Sequence, residues 1–154
     1  MKRQNSTQAS NNSHVNKSVT NLIFAIRNRN HKIPMQKEIV TSKAASPSGP
    51  YSIAVKYGGL IFISGISSKN RDGSPLTGPI EDHVRHVLNK IKSLLEDAGS
   101  SMDRVLKMTV ILQDGNDWSR MNTVFKEFFP MNPPARTTFQ SNMTAKVEMD
   151  AIAY

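Results

Sequence analysis

The stretch between Pro79 and Gly99 constrains this chain more than any other. Ile80, Val84, Val87, Leu88, Ile91, Leu94, Leu95 and Ala98 recur at the spacing of a single helical face. Pro79 suits the first helical position, where its missing N–H leaves no bond unmade. Glu81 and Asp82 fall in the first turn and complement the helix dipole. Gly99 can take the left-handed conformation that ends a helix. So long an apolar face needs a broad apolar partner, and the rest of the chain offers strands for one.

Glu38–Ala45 is short and carries Ile39, Val40 and Thr41, which favour a strand. Ser46-Pro47-Ser48-Gly49-Pro50 is a turn segment. Tyr51–Lys56 and Leu60–Ser64 flank Tyr57-Gly58-Gly59 and predict a hairpin. Ser67–Gly78 is a polar loop. Beyond the helix, Val105–Leu112 is β-rich, and Asp114–Asp117 is a turn able to supply a helix N-cap. Trp118, Met121, Val124, Phe125, Phe128 and Phe129 make a second helical face, stopped by Pro130. Ala135–Gln140 and Lys146–Tyr154 close the chain as strands, with Val147, Met149, Ala151 and Ala153 on one face. The order β-β-β-α-β-α-β-β predicts an α+β fold: a small mixed sheet with two helices on one face. The bare sheet face then needs a cover, which a closed cyclic assembly would provide.

Charge divides the chain at about residue 38. Residues 1–40 hold seven basic residues and one acidic residue, Glu38, while residues 41–154 hold thirteen basic and eleven acidic. Residues 1–40 thus carry +6 of the net +8, and the near-neutral domain at +2 argues against a nucleic-acid partner. Residues 1–37 are acid-free and rich in Asn, Ser, Lys and Arg, with an apolar stripe at Val19, Leu22, Ile23 and Ile26. This composition is that of a mitochondrial transit peptide, with the matrix as destination; a cytoplasmic chain with a disordered tail is the alternative. No apolar run approaches the ~20 residues of a membrane helix. The absence of cysteine excludes a disulfide framework, a thiolate metal site and a cysteine nucleophile.

Two charged positions stand out. Arg136 follows Asn132-Pro133-Pro134-Ala135, whose prolines stiffen the backbone that aims its guanidinium, an arrangement suited to gripping a carboxylate. Glu148 alternates with Val147 and Met149 and shares its strand face with Asp150, so two carboxylates on one face could position a water. His83 and His86 stand at a metal-compatible spacing, but nothing nearby completes a site, and no metal is expected.

Ser48-Gly49-Pro50-Tyr51-Ser52, Phe62-Ile63-Ser64-Gly65, Ala98-Gly99-Ser100-Ser101, Met121-Asn122-Thr123-Val124-Phe125, Asn132-Pro133-Pro134-Ala135-Arg136-Thr137-Thr138 and Val147-Glu148-Met149-Asp150-Ala151-Ile152-Ala153 occur in that order. Over about residues 38–154 the chain resembles the Rid family, also called YjgF, of enamine/imine deaminases. The resemblance implies a chorismate-mutase-like fold, a homotrimer with barrel-like assembly and three sites between subunits. It implies hydrolysis of reactive 2-imino and 2-enamino acids to 2-oxo acids and ammonia, a clearing of reactive metabolites that needs no cofactor. By the same resemblance Arg136 clamps the substrate carboxylate and Glu148 positions the attacking water. The backbone at Thr138 and Gly65 binds the substrate's ends, Tyr51 walls the cleft from a neighbouring subunit, and Asn122 supports the site. The chain departs from the family pattern at Ile66, at Thr138 and in a shorter segment between Arg136 and Glu148. A member that keeps the pocket as a small-metabolite sensor or interaction module is the competing expectation.

Overall fold

The structure is a computed structural model that describes residues 36–154 apart from Arg71. The leader expectation, with its stripe from Val19 to Ile26, falls outside the described residues. The elements are β1 (Glu38–Val40), β2 (Ala54–Tyr57), β3 (Leu60–Ser67), α1 (Ile80–Asp97), β4 (Val105–Leu112), α2 (Trp118–Phe128), β5 (Ala135–Gln140) and β6 (Val147–Ala153). They form one six-stranded sheet in the order β1-β2-β3-β6-β4-β5. Among the described strands only β4 and β5 run parallel, and α2 is the crossover between them. The mixed sheet with two helices matches the expected class.

The helical face of α1 is the core. Val84, Val87, Leu88, Ile91, Leu94 and Leu95 are fully buried, against Met108, Val110, Val147, Met149 and Ala151 of the sheet. Each such side chain contributes roughly 1.5–3 kcal/mol when buried. At the end of α1, Gly99 takes φ +80°, its N–H bonds the Glu96 carbonyl and the Ser100 N–H bonds the Leu95 carbonyl. These two bonds satisfy carbonyls that a helix end leaves free.

Several boundaries moved. Pro79 is the N-cap, with ψ 161°, one position before the helix proper. β1 stops at Val40, because the Ser42 hydroxyl accepts the Ala44 N–H and turns the chain. Tyr51 and Ser52 lie in the loop before β2, where the Tyr51 N–H bonds the Gly49 carbonyl at 2.8 Å. Asp114 accepts the Asn116 N–H at 2.9 Å, so it caps a single 3-10 turn ahead of α2 and not α2 itself.

β3 runs on to Ser67 with a break in register: Ile63 faces Ala151 but Ile66 faces Met149. Three steps on β3 thus oppose two on β6, which is a bulge. It brings Gly65 beside Glu148.

The second face of the sheet has no helix over it among the described residues. Ile39, Val55, Phe62 and Ile152 are cross-strand neighbours in one row along it. Ile39 is 64% and Phe62 42% exposed, and Leu106 and Phe139 add further exposed apolar surface.

Candidate functional site

Arg136 lies on β5, at the sheet edge, with Met108 as its cross-strand neighbour. Met108 is buried on the helix face, and Arg136 points the same way, into α2. Its Nη2 donates to Asn122 Oδ1 at 2.7 Å, and Nη1 stands 3.5 Å from Met121 Sδ. The guanidinium carbon sits 4.5 Å from the Phe125 ring centre and 5.5 Å from that of Trp118. Trp118, Asn122 and Phe125 occupy one face of α2 at i, i+4 and i+7, so a single helix supplies both the rings and the amide. Cation–π contact and a neutral acceptor fix the fork in place. Desolvation lowers the guanidinium's pKa from its ordinary value, yet arginine stays charged. Among the described residues no carboxylate pairs with it, so its charge is left for an anion. Thr138, two positions on and on the same side, has a buried Oγ1 without a partner.

Glu148 lies on β6 between Ser67 of β3 and Ile111 of β4, on the opposite sheet face. Its carboxylate occupies the space where a Gly65 side chain would stand. It borders an open hollow of about 490 Å³ that is also lined by Tyr51, Ser64, Gly65, Met143 and Thr144. Tyr51 is steered by Ser48: its phenol oxygen lies 3.2 Å from Ser48 Oγ and accepts the Ser48 N–H at 3.2 Å. The Ser48 hydroxyl is also the main reason the phenol's pKa falls below its ordinary value. Ser64 Oγ donates to the Ser52 carbonyl at 2.8 Å, tying the Tyr51 loop to β3.

The expected residues thus form two groups. Arg136, Asn122 and Thr138 share one edge of the helix face; Tyr51, Gly65 and Glu148 share the hollow on the other face. The strands of Arg136 and Glu148 follow one another in the chain but are not neighbours in the sheet: β4 lies between β5 and β6. Within a single chain the two groups do not face a common cleft. Asp150 is also corrected as a partner of Glu148, because its Oδ1 accepts the Thr109 N–H at 3.2 Å instead of lining the hollow.

The histidines are occupied elsewhere. His83 is buried with Nδ1 2.9 Å from Ser68 Oγ, and His86 Nε2 is 3.0 Å from the Lys69 carbonyl. Among the described residues no group of three His, Cys, Asp or Glu could hold a metal. The sequence marks the rings around Arg136 only as core, since spacing places them on a helix face without saying what meets that face.

Comparison with known proteins comes from three directions. A family model described as Endoribonuclease L-PSP matches residues 41–154. A RutC family protein of Pyrococcus abyssi is 42% identical over 125 residues, spanning 78% of this chain and 98% of that protein. Protein mmf2, mitochondrial, of Schizosaccharomyces pombe is 38% identical over 125 residues, covering 77% and 98%. The 2-iminobutanoate/2-iminopropanoate deaminase of Bos taurus is 37% identical over 123 residues, covering 77% and 90%. The crystal structure of yeast Mmf1 superposes with a TM-score of 0.72 at 28% identity, covering 77% of this chain and 98% of that one.

Proposed function

The chain belongs to the Endoribonuclease L-PSP (YjgF/Rid) family, and from that footing we propose that it hydrolyses reactive 2-imino acids to 2-oxo acids and ammonia. The observation that carries this reading is Arg136, a half-buried guanidinium held by Asn122 and two rings and paired with no carboxylate among the described residues. Such a fork receives a substrate carboxylate through two parallel charge-assisted bonds. With the carboxylate fixed, the neighbouring imine carbon is presented in one orientation.

Glu148 then orders a water against that carbon. The water oxygen bonds to the carbon as the C=N π pair moves to nitrogen, and Glu148 takes the water's proton. Glu148 passes that proton to the nitrogen, which gives a neutral tetrahedral carbinolamine. It then takes the hydroxyl proton and hands it to the same nitrogen as the C–N bond breaks, so the C=O forms and ammonia leaves. Backbone dipoles at Gly65 and Thr138 orient the substrate's polar ends.

Because Arg136 and Glu148 lie on opposite sheet faces, a complete site takes two copies. The edge formed by β5 and α2 of one copy would meet the hollow of the next. A closed homotrimer satisfies that geometry three times, and the exposed row Ile39, Val55, Phe62 and Ile152 supports burial of the bare face in such an assembly. The basic, acid-free leader, together with a relative named as mitochondrial, supports delivery to the mitochondrial matrix. The balanced charge of residues 41–154 supports a small-molecule substrate over RNA.

The test is ammonia release from 2-iminopropanoate generated by a pyridoxal-phosphate dehydratase. Purified chain should accelerate release, and Arg136→Ala and Glu148→Gln should not. Release at the buffer rate in the presence of wild type contradicts the proposal.

A further inference from the structure

A smaller cationic chamber opens off the Glu148 hollow. It is about 150 Å³ and shares Ser48, Tyr51, Gly65, Ser67 and Lys69 with that hollow. Lys90 reaches its wall from α1. Lys90 Nζ donates to the Lys69 carbonyl at 2.5 Å, the same carbonyl that meets His86 Nε2 at 3.0 Å. An ammonium has three protons to place, and among the described residues this carbonyl is its one acceptor. The side chain is half-buried, and desolvation lowers its pKa from the ordinary value. Lys69 lines the chamber too, and no Asp or Glu is among its described lining residues. The Asn70 amide nitrogen is already engaged with Ser74 Oγ at 3.0 Å. The chamber thus holds positive charge without a protein anion to balance it.

We infer that this chamber receives the second carboxylate of a dicarboxylic 2-imino acid, with Lys90 as its ion partner. The inference rests on the proposed hydrolysis and narrows its substrate to one with an acidic side chain. The chamber joins the hollow at Tyr51 and Gly65, where the reacting carbon would face Glu148. A substituent leading away from that carbon past Tyr51 would enter the chamber that Lys90 helps to line. An apolar side chain entering there would strip water from an ammonium and return no partner, which is how a buried polar group rejects a ligand. A carboxylate returns an ion pair and two hydrogen bonds.

Oxaloacetate and pyruvate, which differ by that carboxylate alone, are titrated calorimetrically into full-length wild type, Lys90→Met and Lys90→Arg. Wild type should bind oxaloacetate about tenfold tighter than pyruvate or better, in line with selection by a paired polar group. Lys90→Met should lose the preference with pyruvate binding unchanged, and Lys90→Arg should keep most of it. If Lys90→Met melts early, Lys90→Gln carries the same comparison, since its amide can still donate to the Lys69 carbonyl. Equal binding of the two acids by wild type, or a preference that survives loss of the Lys90 charge, overturns the inference. Hydrolysis of 2-iminopropanoate is followed in parallel. A Lys90-dependent preference without hydrolysis rejects the reaction and keeps the chamber; hydrolysis without the preference does the reverse.

Discussion

Glu148 lies against the backbone of Gly65 so closely that a β-carbon on Gly65 would stand 3.2 Å from the Glu148 carboxyl carbon and closer still to its Oε1. Gly65 is exposed and its φ is outside the left-handed region, so alanine meets no backbone strain there. The methyl group would instead push the carboxylate off its water. Gly65→Ala should lower turnover by about tenfold or more, a part of what a positioned base contributes. The melting temperature should move by no more than about 2 °C, as for most exposed substitutions. Ammonia release and a thermal melt read the two effects.

Arg136→Lys should raise KM by about tenfold or more, because a point charge replaces a planar fork. Asn122→Ala should raise KM by less, since it removes the amide oxygen that orients the fork and leaves the Met121 sulfur and both rings. Steady-state kinetics on 2-iminopropanoate check both. An unchanged KM in Arg136→Lys contradicts the clamp.

The bare sheet face offers a test that needs no substrate. Phe62 is 42% exposed at the centre of the apolar row. Phe62→Glu places a charge there, and burying it in an interface is costly. Sedimentation velocity should show wild type as a trimer and the variant shifted toward monomer, with catalysis lost in proportion. A monomeric wild type that is fully active contradicts the two-copy site.

His83 predicts how stability responds to acid. Burial is the main cause that lowers its pKa, with the Lys146 charge second, the Gly78 carbonyl and Asp82 opposing, and His86 adding slightly to the lowering. The folded chain therefore holds the imidazole neutral at pH values where the unfolded chain, with a pKa of about 6.5, takes up a proton. Across that window the unfolded state binds more protons, so this contribution is complete above about pH 6.5 and is lost as pH falls through it. His83→Gln keeps a hydrogen-bonding group near Ser68 and should flatten the fall in melting temperature between about pH 7 and pH 5. Melting curves that fall equally steeply in both proteins contradict this.

Much of the fold could be read from periodicity alone. Alternation in Val147–Ala153 separated its two faces correctly, and the stripe from Ile80 to Ala98 marked the core helix. Strand order could not be read this way. Period-two alternation tells which residues of one strand share a face, but not which face of β6 continues a given face of β5. That is why Arg136 and Glu148 were expected together and stand on opposite sides, with β4 between. The sequence shows His83 only at a metal-compatible spacing from His86, because a polar residue inside an apolar stripe does not reveal the Ser68 hydroxyl that lies beside it. Lys90 escaped because its partner is a backbone carbonyl on a loop, which leaves no residue pattern.

The proposed site is built from two copies, and mixing two dead variants tests this directly. Arg136→Ala and Glu148→Gln are each inactive alone, then are unfolded together in equal amounts and refolded. Over the whole mixture, the intact Arg136 of one copy meets the intact Glu148 of its neighbour at about a quarter of all interfaces, if subunits associate at random in a closed ring. About a quarter of wild-type ammonia release is therefore predicted from the mixture. No recovery, from mixed assemblies verified by mass, would place both groups' action within one chain or outside the reaction, and would contradict the account.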